Sequence, residues 1–391
     1  MTFAASLSDI APICLWTAMD GAAMVHEGPG GVVMRIGLEG NHLAGVGQRG
    51  WRGSLDFAHQ HELDGVFFKS ILDLSPTLDL GELREARAYA DALGMYLEVG
   101  IGRINPYNTA ESPHVRRLGG GDYRKAMEQM IHAAREIDCT ELWAETATIK
   151  RDVAEGIFIV DRFRTDTTWE DQLAATARFL TLLAPLLRDL GCRVNIETHE
   201  DVTSFEVVRL VESVGPDVAG ITFDTANVLA RGEEPVAAAR RVASYTHTTH
   251  IKDAILIFGE EGLLRQIRAC GDGVVDWETV IGILAAHKPE LNLSLEESPS
   301  LMSVPIADPA WRAGHPDLAV AEVAELVRLA QGCEARIARG EMMPAAAYAA
   351  IPFDELAIPN MLKSQRHLRA ILVQRGLIHS PPANGAPGRT G

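Results

Sequence analysis

Short apolar runs alternate with longer amphipathic stretches along most of the chain. The runs are ICLWTA (13–18), GVFFKS (65–70), MYLEVGIG (95–102), ELWAETA (141–147), RVNIETHE (193–200), GITFDTAN (220–227), THTTHIKDA (246–254) and LNLSLEES (291–298). Each is rich in β-branched or aromatic residues and bounded by Gly, Asp or Asn, which predicts a strand. Between them, apolar positions at three- and four-residue spacing predict helices over 80–94, 122–138, 167–191, 204–215, 234–245 and 276–287, and a final one over 317–340. Thr168 and Asp171 read as a capping box with Asp in place of the usual Glu, and Pro185 is expected to kink or break its helix.

Strict strand–helix alternation implies an α/β fold with a parallel sheet. Eight repeats closing with a helix fit a (β/α)8 TIM barrel better than an open doubly wound sheet. No GxGxxG directly follows the first run and no GxxxxGK[ST] occurs, so the alternatives lack their phosphate-binding devices. The barrel is expected over 10–340, with a glycine-rich loop inserted after strand one over 20–53. A loop of that length is expected to be a lid or a small hairpin, the alternative being a disordered insertion. Residues 341–377 read as a C-terminal extension, helical near Leu362–Leu377, packed on the barrel or on a neighbouring subunit. Residues 378–391 read as a disordered tail by composition.

Composition narrows the function classes. The 391 residues are 47% hydrophobic, enough for a large core, and the formal charge of -17 repels phosphate backbones. A nucleic-acid partner is therefore not expected. Five scattered cysteines without a CxxC pair argue against a disulfide framework or a structural zinc site. The start lacks a basic leader and no stretch reaches membrane-span length, so a cytoplasmic protein without a membrane partner is expected.

Barrel enzymes carry their catalytic groups at the C-terminal ends of the strands. Strand five ends in Asn195, Glu197 and His199, strand six in Asp224 with Asn227 beyond, strand seven in His250, Lys252 and Asp253, and strand eight in Glu296 and Glu297. Strand four adds Glu145 on the parity of Trp143. Side chains two apart share a side of a strand, so Glu197 pairs with His199, His250 with Lys252, and Ser294 with Glu296. Several buried charges converging on a barrel mouth call for pairing or a cation. Glu197, Asp224, His250 and Glu296 form an O,O,N,O set suited to one divalent ion, Mn²⁺ first and otherwise Mg²⁺, Co²⁺ or Zn²⁺. The plainer reading is four separate structural salt bridges.

The ordered series ETHED, FDTANVLARGEEP, HIKDA, GDGVVDW and SLEES resembles the xylose-isomerase-like TIM-barrel superfamily, the sugar phosphate isomerase/epimerase family. The resemblance covers roughly residues 10–330 and is most specific between 193 and 298. It implies Glu197, Asp224, His250 and Glu296 as metal ligands, the same four that strand ends select. It also implies an enediolate reaction on a keto sugar or keto-polyol, with Glu197 and Glu296 exchanging protons at carbon, and His199 and Lys252 binding oxygens or relaying protons. A second-shell His or Lys base stays open.

Departures from the family pattern bear on the branch. Asn227 stands where the multi-zinc nucleases carry a further histidine, and Asp253 follows Lys252 instead of leading an Asp-x-His pair, which sets the DNA-repair branch aside. The expected activity is an isomerase or epimerase. The alternative is a lyase, either a keto-sugar dehydratase or a keto-glycoside-cleaving β-eliminase working as a subunit of a complex, and a non-catalytic binding barrel comes behind both. The expected partners are a small sugar-like substrate and a second copy of the chain in a homo-oligomer, with a hetero-subunit open. Trp16, Glu145, Asn227, Asp253 and Arg103 are candidate substrate contacts, as are Glu98 and Lys69; a structural or surface charge is the plainer reading for Arg103, Glu98 and Lys69, and a core position is the equal alternative for Trp16. His247 shares no parity with His250 and is not expected to be a ligand.

Overall fold

The computed structural model describes residues 34–41, 46–109, 112–147, 162, 166–298 and 300–378. The strands in chain order are β1 (Arg35–Glu39), β2 (Gly65–Phe68), β3 (Tyr96–Arg103), β4 (Glu141–Glu145), β5 (Arg193–Glu197), β6 (Ala219–Asp224), β7 (Thr246–Ile251), β8 (Asp253–Gly259), β9 (Gly262–Arg268), β10 (Asn292–Leu295) and β11 (Leu301–Val304). Eight of them close a parallel barrel in the order β1-β10-β7-β6-β5-β4-β3-β2. The other three form an antiparallel sheet, β11-β9-β8. Helices Gly50–Gln60, Leu80–Ala92, Tyr123–Arg135, Trp169–Leu190, Ser204–Val214, Pro235–Val242 and Trp277–His287 follow the first seven barrel strands in turn. Among the described residues no helix is long and apolar enough to cross a membrane.

Alternation along each strand separates two environments. Val66, Phe68, Val194, Ile196, Ile221 and Phe223 belong to the apolar layer packed under the helices. The opposite parity fills the lumen with hydrogen-bonded pairs: Tyr96 Oη with Ser294 Oγ at 2.9 Å, Asn292 Nδ2 to Glu98 Oε1 at 2.6 Å, and Thr222 with Thr248 at 2.7 Å. These pairs satisfy the polar groups of the lower lumen.

The first strand departs from the expected position. Residues 13–18, with Trp16, lie outside the described residues, and the barrel's first strand is RIGLE at Arg35–Glu39, followed by helix Gly50–Gln60. The strand falls inside the 20–53 segment expected to be a loop, and the helix begins within it. Its glycines misled because two of them serve close packing: a Cβ on Gly37 would stand 2.1 Å from Tyr96 Oη, and one on Gly40 2.8 Å from Phe68 and Val66. Strand seven also ends earlier than expected, at Ile251, and a hairpin of β8 and β9 follows it. DAILIFG and GLLRQIR pair antiparallel with each other, and β9 pairs on its other edge with β11.

The eighth outer helix is a further correction. The predicted helix over 317–340 forms as Val320–Ala338, but it packs on β8 with a second apolar cluster that includes Leu256, Leu263, Leu326 and Ala330. Helix Phe353–Gln374 instead lies against Trp277–His287, β1 and β10 and closes the outer ring. It buries Ala357, Met361, Leu368, Ile371 and Leu372, and Gln365 Nε2 donates to the carbonyls of His61 and Glu62. Beyond it the chain returns to β1 through Met34 N donating to the Leu377 carbonyl at 2.9 Å. The segment read as an extension is thus part of the barrel; the tail from residue 379 lies outside the described residues. Pro185 sits within the continuous helix Trp169–Leu190, whose N-cap Thr168 accepts from Asp171 N at 3.1 Å.

Because Leu368 is fully buried in this closing helix, Leu368→Ala is expected to cost about 2–5 kcal/mol. Chemical denaturation should register that loss as a lower midpoint; a change under about 0.5 kcal/mol, the scale of ordinary surface substitutions, would mean the helix is not part of the core.

Candidate metal centre

Glu197 and Asp224 are the last residues of β5 and β6, His250 is the penultimate residue of β7, and Glu296 directly follows β10. Asp224 and His250 are register partners, and His250 pairs with Ser294, which shares the parity of Glu296. Strand register therefore brings side chains from four adjacent strands to one level of the lumen. One ligand atom from each lies within 4.8 Å of the others, and all four residues are buried.

Three carboxylates that close, out of water, cost several kcal/mol each unless opposite charge compensates them. Lys252 Nζ lies 2.7 Å from Asp224 Oδ2 and 3.1 Å from Glu296 Oε2. Lys69, just past β2, donates to Glu296 Oε1 at 2.8 Å. Burial opposes both ammonium charges, yet the surrounding carboxylates raise both lysines above their ordinary range. His250 Nδ1 stands 3.0 Å from Glu296 Oε2 and 3.2 Å from Glu197 Oε1. Burial favours its neutral form, but Glu197 and Glu296 push it up to about 9. Burial likewise raises Glu197 and Glu296, and adjacent positive charge overrides it: His250 holds Glu197 low, and Lys252 and Lys69 hold Glu296 low. Asp224 goes the other way, pushed by burial up to about 6 despite Lys252.

Neighbours aim the ligands. Trp143 Nε1 donates to Glu197 Oε2 at 2.9 Å and Asn227 Nδ2 to Glu197 Oε1 at 3.2 Å. Asp224 Oδ1 accepts the backbone N–H groups of Ala226 and Asn227 at 3.0 and 2.9 Å. The Phe67 ring packs 4.7 Å from the His250 ring. Asp224 Oδ2 and both His250 nitrogens nevertheless lack a hydrogen bond of good geometry. Asp224 Oδ2 and His250 Nδ1 are held by ion pairs alone and His250 Nε2 by neither, and a buried polar atom without a hydrogen bond costs about 1–3 kcal/mol. Here they meet at one point with an all-oxygen-and-imidazole donor set, so the four residues fit a divalent cation.

The pattern of one protein family, described as xylose isomerase-like TIM barrel, matches residues 55–328, more than half of the chain. This chain belongs to that family. An inosose dehydratase of Bacillus cereus is 24% identical over 164 residues, covering 38% of this chain and 55% of that protein. The uncharacterised protein YihM of Escherichia coli is 29% identical over 111 residues, covering 28% of this chain and 34% of that protein. The chain thus spans between a third and just over half of the length of these curated relatives. Among solved structures, an L-ribulose 3-epimerase superposes with a TM-score of 0.51 at 15% identity, covering 90% of this chain and all of that one. The 3-keto-D-glucoside 4-epimerase YcjR of E. coli gives 0.50 at 15% identity, with 75% and 99% coverage. At these identities the structures share the fold.

Within this xylose isomerase-like barrel the remaining candidates divide. His199 joins the site's rim: its Nδ1 pairs with Asp201 Oδ1 at 2.7 Å, and Asp201 Oδ2 accepts from Thr146 Oγ1 at 2.7 Å. Burial works against its charge, but Asp201 and Glu197 raise it to about 10. Arg103 Nε donates to Glu145 Oε1 at 3.1 Å, a half-buried pair at the ends of β3 and β4. Asn227 acts behind the ligands, on Glu197. Asp253 is taken up by a turn: fully buried, it accepts N–H groups from Ala254, Gly271, Gly273 and Val275 and the Trp277 indole, which orders the segment after β9. Glu98 lies deeper in the lumen than expected, on Asn292. His247 sits at the opposite end of the barrel beside Arg193 and Lys288, where burial and those cations lower it to about 4.

Three contributors were not legible as such. Trp143 had the right parity but no visible reason to touch Glu197. Glu39, buried at the end of β1, was hidden because its strand was read as loop. Arg265 lies on the unforeseen hairpin.

A cation entering this centre competes with the proton on His250, which is held there up to about pH 9. Affinity should therefore rise with pH toward that value, and Mn²⁺ uptake at pH 7.5 should release close to one proton. Calorimetry in two buffers of different ionisation enthalpy measures the number; a value near zero would remove His250 from the ligand set.

Proposed function

We propose that this chain is a divalent-metal-dependent isomerase or epimerase acting on a keto sugar or keto-polyol. The observation that carries the reading is the buried meeting of Glu197, Asp224, His250 and Glu296 at the strand ends of a xylose isomerase-like barrel. When bound, the cation supplies Lewis-acid polarisation of adjacent carbonyl and hydroxyl oxygens. Donor chemistry suits Mn²⁺, with Mg²⁺, Co²⁺ and Zn²⁺ as the other oxygen- and imidazole-compatible ions.

The chain's own residues supply the proton steps. Glu197 and Glu296 reach the same point beside His250 but keep different company: neutral N–H donors hold Glu197, and two ammonium groups hold Glu296. Glu197 takes the proton from the carbon next to the carbonyl, and Glu296 with Lys252 returns one. His199, steadied by Asp201, and the Arg103–Glu145 pair bind substrate oxygens. Phe67 and Trp143 form an apolar wall that excludes water from the carbanion-like carbon.

A second reading is a dehydratase, in which the same proton removal is followed by loss of water. The inosose dehydratases among the matching relatives favour it. A β-eliminase releasing an aglycone is its close variant.

Incubation with a panel of keto sugars and inososes in D2O, followed by NMR, separates these reactions. Deuterium entering at carbon without fragment loss supports the isomerase or epimerase; release of water or an aglycone supports the lyase. Glu296→Gln is expected to slow exchange at least about a hundredfold and to weaken metal binding. Wild-type protein that neither carries nor takes up a divalent ion would sink the proposal.

A further inference from the structure

Arg265 belongs to the hairpin inserted between the seventh barrel strand and its helix, and its side chain is fully buried. Its guanidinium reaches the segments that follow three other strands. Nη1 donates to Asn227 Oδ1 at 3.0 Å and to the Ala226 carbonyl at 3.3 Å, beyond β6. Nη2 donates to Glu200 Oε1 at 2.8 Å, beyond β5, and to Ser300 Oγ at 2.6 Å, beyond β10. Those three strands end in or lead directly to Glu197, Asp224 and Glu296, and the hairpin itself continues from the strand of His250. One cation thus ties together the chain just past all four ligands.

The contact to Asn227 reaches furthest. A guanidinium has no acceptor, so only the amide oxygen can face it. With Oδ1 committed to Arg265, the Asn227 NH2 group is turned toward Glu197 Oε1, 3.2 Å away. Trp143 already holds Glu197 Oε2, so each carboxylate oxygen keeps one N–H donor and Glu197 has a single orientation. Without the guanidinium, the amide can flip and set its oxygen against the carboxylate, which repels it. A lysine cannot replace this fork: its point charge does not reach acceptors on three segments in one plane.

We propose that Arg265 is a positioning residue of the metal centre, acting through the Asn227 amide on Glu197. The proposal rests on the metal reading above.

Its test is Mn²⁺ affinity by titration calorimetry, alongside melting temperature without metal, for R265K, R265M, N227A and R265M/N227A. R265K and R265M should each weaken Mn²⁺ binding by about 10–100-fold, the usual loss for a partner behind a ligand. In the N227A background R265M should add less than about threefold, because the link is already cut. The pair E200Q/R265M removes both charges, so it avoids a stranded Glu200 carboxylate and should fold while showing the same loss as R265M. Folded Arg265 variants that bind Mn²⁺ within about twofold of wild type, within the scatter of independent sites, would overturn the proposal. So would single losses that multiply in the double variant. Wild-type protein that binds none of Mn²⁺, Mg²⁺, Co²⁺ and Zn²⁺ would overturn the metal reading instead, so the two failures are distinguishable.

Discussion

Three carboxylates held within a few ångströms of one another, almost without water, are the constraint on which the upper half of this barrel depends. Their mutual repulsion and desolvation are met by Lys252, Lys69 and His250, and together with His250 they fit a divalent cation. Each compensating group needs support in turn. Phe67 backs His250, Trp143 and Asn227 orient Glu197, and backbone N–H groups of the following turn hold Asp224. The charge problem is solved by layers of neutral donors behind a thin layer of ions. That arrangement leaves the ionised groups with few alternative geometries, which is what binding and proton transfer at a fixed point require.

The insertion after the seventh strand serves the same end. Its inner face carries Leu256 and Leu263 into an apolar cluster with Leu326 and Ala330, while Arg265 in the same sheet reaches the ligand-bearing loops. Helix Val320–Ala338 is diverted to cover this sheet, and that diversion leaves the eighth position of the outer ring to Phe353–Gln374. An insertion on one side of the barrel thereby explains why the chain continues past the length of a minimal one.

Much of the centre was legible because its physics is local. Glu197, Asp224, His250 and Glu296 each lie at or within one residue of a strand end, in ETHE, TFDT, THTTHI and SLEE, and strand parity turns them to one side. The pairing of Arg103 with Glu145 and the place of Asp253 were not legible, since they depend on which chain segment turns back over which. Asp253 carries the same charge as a ligand and sits three residues past one, yet the N–H of Ala254 and four N–H donors from the segment 271–277 absorb it.

The sequence by itself determined the alternation of strands and helices, the closure of eight of them as a barrel, and the four inward-facing residues that make an oxygen-and-imidazole site. Those are consequences of hydrophobic period and side-chain parity, which short segments carry on their own. Tertiary structure decided which segment serves as the first strand, which helix closes the ring, and which polar groups stand behind the ligands. Gly37 is the clearest case. In the sequence it reads as flexibility, but in the barrel it is the space into which the Tyr96 ring fits, a fact that belongs to two residues far apart in the chain.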